Sequence, residues 1–186
     1  HKAGAGEMSS SPEAPDPGAT APPTSMIAAE IREKYAEMFA SVRILPAWKA
    51  EVSSIVRKIS ANKGRYEAVA ARIPGVPWWA VAVIHNMECS LSFRQHLHNG
   101  DPLTARTVHV PGGLPKKGRP PFEWEDSAVD ALLYDDFDEV GDWSVGSALN
   151  ALERYNGLGH RRRGVPSPYL WSGTQHYSKG KFVRDG

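Results

Sequence analysis

Glu88 closes an apolar run, WWAVAVIHNME over residues 78–88, and a polar, loop-forming stretch follows it at once. A carboxyl held against Trp, Met and Phe surfaces is desolvated. That disfavours its ionised form and raises its pKa toward the range where it can donate a proton near neutrality. Proton donation of this kind is what cleavage of a glycosidic bond needs, whereas a carboxylate simply exposed at a helix end does nothing. His85 lies one helical turn earlier, placed either to hydrogen-bond Glu88 or to be a buried, locally satisfied histidine. Gln95, His96 and His98 run into the turn His98-Asn99-Gly100-Asp101-Pro102. They either line a cleft with hydrogen bonds or, with two His on one strand face, approach a metal. No Cys, Asp or Glu completes a zinc set at the expected spacing, so neither a metal nor another cofactor is expected.

Several elements must position these groups. Residues 1–24 are dominated by Ala, Gly, Pro and Ser and cannot bury enough surface to offset ordering entropy, so they read as a flexible linker or an expression remnant. From Thr24 or Ser25, behind a hydroxyl cap, Ile27, Ile31, Tyr35, Met38 and Phe39 recur at helical spacing. A second helix runs from Pro46 to a left-handed stop at Asn62 or Gly64, and a third, short one covers 65–72. Pro77 suits the first position of the next helix, 78–87, which is apolar nearly all round and should be central and buried. Residues 89–122 are rich in Pro and Gly between short alternating runs such as 105–110, which predicts turns and a small β-hairpin or three-stranded flap. Helical patterning returns at Trp124 and again over 144–155. The tail after 156 should be irregular, with one short helix near 168–171.

Composition narrows the class. At 186 residues one domain is expected. Hydrophobic residues make up 41% and charged residues 23%, with 22 bases against 21 acids and a net charge of +1, which argues against a nucleic-acid partner. The longest apolar run, 76–84, is far short of the roughly 20 residues that span a bilayer. The single Cys89 excludes an internal disulfide. No basic stretch with an apolar core and cleavage site opens the chain, so a signal peptide is not visible. Six Trp and six Tyr suit a carbohydrate ligand, because flat rings match the C–H faces of sugars. Trp48, Trp79 and Trp143 are expected in the core, and Trp124, Tyr169, Trp171 and Tyr177, in loop-rich segments, in a cleft. Arg161, Arg162 and Arg163 form the one local basic run, either a solvated cluster or an attraction for anionic polymer.

A buried helix ending in Glu88-Cys89-Ser90, then a flap, then helices, then Glu153-Arg154-Tyr155-Asn156-Gly157, resembles the lysozyme superfamily of goose-type lysozymes, phage lysozymes and lytic transglycosylases. Cys89 stands where such proteins often have Ser. The stretches FRQHLHNGDPLT and SPYLWSGTQHY are similar to those of bacterial lysozyme-family proteins, and the likeness covers roughly residues 45–186. The resemblance implies a mainly α (α+β) lysozyme-like domain over 25–186, with a central buried helix and a small β-hairpin flap. It implies a muramidase that cuts peptidoglycan, or a related amino-sugar polymer, between N-acetylmuramic acid and N-acetylglucosamine, with Glu88 as general acid. Asp101 would be the second carboxylate, activating water or stabilising the oxocarbenium ion, or else only a turn residue; Glu123, Glu125 and Asp126 come next. Ser90, Gln95, His96, His98, Tyr155, Asn156, Tyr169 and Trp171 would bind substrate in a cleft bordered by Glu88, the flap at 92–110 and the segment around Tyr155. A monomer is expected, periplasmic or directed to the cell wall, exported or delivered by a phage as an endolysin. A lytic transglycosylase, an inactive wall-binding module, or a chitinase-like or chitosanase-like enzyme are the other readings.

Overall fold

The computed structural model describes residues 24–177, so the linker expected over 1–24 lies, but for Thr24, outside the described residues. The chain is mainly helical. Thr24 opens α1 (Thr24–Ala40); a 3-10 turn (Pro46–Trp48) leads into α2 (Lys49–Ala61), and α3 (Lys63–Ala70) follows directly. The expected stop between these two does not use a left-handed residue. Asn62 sits at φ −111° and Gly64 lies inside α3, so the chain bends in one residue rather than looping. Next come α4 (Trp78–Cys89), α5 (Trp124–Tyr134), α6 (Val145–Asn156), α7 (Gly159–Arg162) and α8 (Pro168–Trp171). Pro77 is the residue before α4 rather than its first, in extended conformation as a helix entry requires. Among the described residues no helix is long and apolar enough to cross a membrane.

Helix α4 is central, as its all-round apolarity predicts. Ala80, Val81, Ala82 and Ile84 are buried in one core with Tyr66 and Val69 of α3 and with Trp124, Ala128, Ala131 and Leu132 of α5. On the other side α1 crosses α6 so closely that a Cβ on Gly146 would stand 2.0 Å from the carbonyl oxygen of Arg32. Only glycine permits that approach. Buried Glu153 ties the same elements together, accepting from the Tyr35 hydroxyl of α1 at 2.6 Å and from the Arg161 guanidinium of α7. Arg161 is therefore a structural cation and not part of a free basic run.

The expected β-flap does not form. Over 89–122 the ladder hydrogen bonds reduce to one isolated bridge, Gln95 with Pro102, and the run 105–110 leaves Val108 and Val110 78% and 92% exposed without a partner strand. Side chains have taken over the backbone donors a hairpin would pair. Asp101 accepts the N–H of Val108 and of His109, and the Thr107 hydroxyl oxygen accepts the N–H of Leu114. Prolines remove others.

Trp143 packs against the core as expected, but four other tryptophans are inverted relative to expectation. Trp124 and Trp171 are 2% and 1% exposed, whereas Trp48 and Trp79 are among the exposed apolar residues. A loop-rich segment has few hydrogen bonds of its own and is held by burying its largest rings. Trp171 packs edge-on to Tyr35 and against His176, and the segment after it pairs back onto residues 43–45, with Leu45 N–H donating to Gly173 O at 2.8 Å and Arg43 N–H to Gln175 Oε1 at 2.6 Å. Much of SPYLWSGTQHY is thus a clasp between the two ends of the fold.

Candidate active site

Helix α4 ends abruptly behind the acid. Ser90 (φ 49°) and Leu91 (φ 63°) are both left-handed, and their N–H groups close on Asn86 O and His85 O. A non-glycine residue in that region costs about 1 kcal/mol or more, and such residues gather at functional sites. The reversal carries the chain under Glu88: Gly100 (φ +79°) lies so near that a Cβ there would be 3.4 Å from the Glu88 carbonyl oxygen, and Cys89 Sγ–H donates to His96 O at 3.3 Å.

The Glu88 side chain is partly buried. Tyr169 of α8 donates its hydroxyl to Oε1 at 3.1 Å; among the described residues Oε2 has no hydrogen-bond partner. Burial pushes the Glu88 pKa up, and nearby Asp135 adds to the rise, while the Tyr169 hydrogen bond pulls it back only in part. Tyr155 stands in the same cluster. Burial and the charges of Glu88 and Asp135 hold its phenol well above the ordinary range, and its hydroxyl donates to Leu97 O at 2.7 Å. Tyr169 is raised likewise, by burial and then by Glu88. The segments around Glu88, Leu97 to Gly100, and Tyr155 therefore meet, as the motif order predicts.

Asp135 was missed in the sequence. It caps the C-terminal end of α5, next to left-handed Asp136 (φ 56°), and burial together with Asp136 raises its carboxyl to about 6, opposed by Arg154. Two consecutive acids at a helix C-terminus, where the dipole disfavours negative charge, are the signal that was available. Phe137, two residues on, packs edge-on to Tyr155 with ring centroids 5.6 Å apart and fixes this turn against the site.

Other expected residues are elsewhere engaged. Asp101 is a turn residue: burial works against its ionisation, but hydrogen bonds from the His109 ring (2.6 Å) and backbone and from Val108 N–H hold it down to about 2. His96 is fully buried; its Nε2–H donates to Ala105 O, which leaves Nδ1 to accept the Ser127 hydroxyl at 2.6 Å. His98 Nε2–H donates to Asp130 at 3.0 Å, and burial lowers its pKa. Gln95 serves the bridge to Pro102, and Trp171 is core. Ser90 and Asn156 are exposed at the ends of α4 and α6, the latter beside Gly157, which closes its helix at φ 95°. His85 bonds the Tyr66 hydroxyl at 3.0 Å instead of Glu88, and burial lowers it to about 4. Arg65 grips Glu125, and Arg72 holds Asp126 at 2.8 Å, so both acids belong to the α3–α5 seam. Among the described residues no three His, Cys, Asp or Glu side chains gather to hold a metal.

A separate hollow beside the Tyr169 ring, about 360 Å³, is apolar and formed by α1, α4, α6 and α8, with Trp79, Val83 and Leu152 among its walls; neither Glu88 nor the 92–110 loop lines it. Compared with known protein families, curated proteins and solved structures, the chain matches none.

Proposed function

We propose that this protein cleaves the glycan strands of peptidoglycan at the bond between N-acetylmuramic acid and N-acetylglucosamine, with Glu88 as general acid. The observation that carries the reading is a desolvated carboxyl at the strained end of a buried helix. Tyr169 holds one oxygen, and the other is free to carry the transferable proton. As the leaving oxygen departs, positive charge grows on the sugar ring, and an ionised carboxylate must stabilise it or activate water. Asp135 is the carboxylate placed to do so, because Asp101 is spent on its turn. Glu88 and Asp135 are both raised by burial and act on one another, so the pair can hold one proton and one charge at the same time. A lytic transglycosylase on the same bond, in which the muramic acid hydroxyl attacks internally, uses Glu88 alone.

Purified peptidoglycan with mass spectrometry of the soluble products tests the reading. Reducing ends mean hydrolysis and anhydro ends mean transglycosylation. Glu88→Gln removes the donatable proton with little change of shape, and cleavage should fall at least about a hundredfold. Asp101→Asn should retain activity: its amide oxygen can accept both backbone N–H groups, and its amide nitrogen can donate to the other tautomer of His109. Activity that persists in Glu88→Gln would sink the assignment.

A further inference from the structure

A groove of about 840 Å³ runs along α5, between that helix and the loop 115–121, and nothing in the proposed chemistry uses it. Lys116, Lys117 and Arg119 form its loop wall, and among the described residues none of them is in an ion pair. Of the acids opposite, Asp126 is paired with Arg72, Asp130 accepts from a neutral His98 and keeps its charge, and Glu123 stands at one end. Three cations thus face two carboxylates, and exposed Leu133 and Tyr134 supply an apolar stretch at the other end. The loop is not slack. Arg106 donates to Gly118 O at 2.8 Å, Phe122 N–H donates to Leu103 O at 2.9 Å, and Leu114 and Pro115 are buried.

The groove ends one residue short of the candidate site along the chain. Tyr134 lines it, and the next residue is Asp135, in the Glu88 cluster. Helix α5, with 11 residues, is about 16 Å long at 1.5 Å per residue, close to the roughly 14–17 Å of a four- or five-residue extended peptide.

We propose that this groove binds the short peptide carried on the lactyl group of muramic acid, with its carboxylates on Lys116, Lys117 and Arg119 and an ammonium toward Glu123; the inference rests on the glycan reading above. A phosphate polymer fits less well, since it meets repulsion at Glu123 and gains nothing from Leu133.

Glu88→Gln protein is titrated with the N-acetylglucosamine–N-acetylmuramic acid disaccharide bearing a tetrapeptide and with the same disaccharide lacking it. The peptide-bearing probe should bind about tenfold tighter, as three partly exposed ion pairs allow. That advantage should shrink at about 0.5 M salt and vanish in Lys116→Ala/Lys117→Ala/Arg119→Ala and in the charge-reversed Lys116→Glu/Lys117→Glu, with circular dichroism unchanged. Equal binding of both disaccharides, or an advantage that survives in the variants, overturns this inference alone. Tighter binding of a glycerol-phosphate polymer than of the peptide-bearing probe overturns the choice of ligand, and binding of neither disaccharide overturns the glycan reading and the inference together.

Discussion

Two carboxyl groups near one another cannot both ionise freely, and in the proposed site Glu88 and Asp135 form such a pair. Glu88 has the burial, a hydroxyl donor on one oxygen and a like charge nearby; Asp135 has burial partly relieved by Arg154. The pair should therefore titrate as a unit, with activity rising as the first proton leaves and falling as the second does. Asp135→Asn removes the like charge from Glu88, so the alkaline limb of the pH–rate profile should move to lower pH and turnover should fall at least about tenfold. An unshifted limb would mean that Asp135 does not face the acid. Glu88 was legible because an acid ending an apolar helix is conspicuous. Asp135 was not, since it carries no motif and its relation to Glu88 exists only once α3, α4 and α5 share one core. His96 and His98 misled for a related reason: their pairing with Ser127 and Asp130 depends on a helix about thirty positions away in the chain.

At the scale of elements, periodicity located α1, α4, α5 and α6, because each shows one apolar face or, for α4, apolarity all round, and the single turn of α8 also lies where a short helix was expected. Alternation over 105–110 failed to give a strand, since a strand needs a partner and here side-chain oxygens capture the donors first. Helix contacts were hidden for another reason. The α1–α6 crossing depends on the missing side chain of Gly146, and a glycine in a helix reads in the sequence only as a weak point. Gly146→Ala raises helix propensity by about 1 kcal/mol, yet places a methyl within 2.0 Å of Arg32 O. The clash should win, because the obstacle is backbone and cannot rotate aside, with a net loss of about 1–3 kcal/mol and a melting temperature lower by several degrees. A stabilised Gly146→Ala variant in thermal denaturation would show the crossing to be looser.

For the whole molecule, buried titratable groups act against one another in a way that fixes how stability follows pH. His85 is lowered by burial to about 4 and His98 is lowered also, so the native state keeps them neutral. Unfolded histidine takes up a proton near 6.5, hence their contribution is whole above that pH and is lost as pH falls toward their folded values. Asp135 is raised to about 6 and Glu88 is raised too. Their contribution is whole below about 4, where the unfolded carboxyls are protonated, and is lost as pH climbs through their folded values. The two pairs oppose each other between about pH 4 and 6.5, so wild-type stability should change less across that window than either pair alone would make it. Below it the lowered carboxyls, Asp101 and Asp142 at about 2 and Glu125, are protonated, and stability should fall steeply. Removing one side of the balance exposes the other. In Glu88→Gln/Asp135→Asn the histidines act unopposed, and urea denaturation should show stability falling by about 2 kcal/mol or more from pH 7 to 4.5, with the double variant more stable than wild type at pH 7. A double variant less stable than wild type at pH 7 would show that these carboxyls are not strained by burial and would remove the physical basis for Glu88 as a proton donor near neutrality, whereas a flat profile in it would show that burial does not hold the histidines neutral.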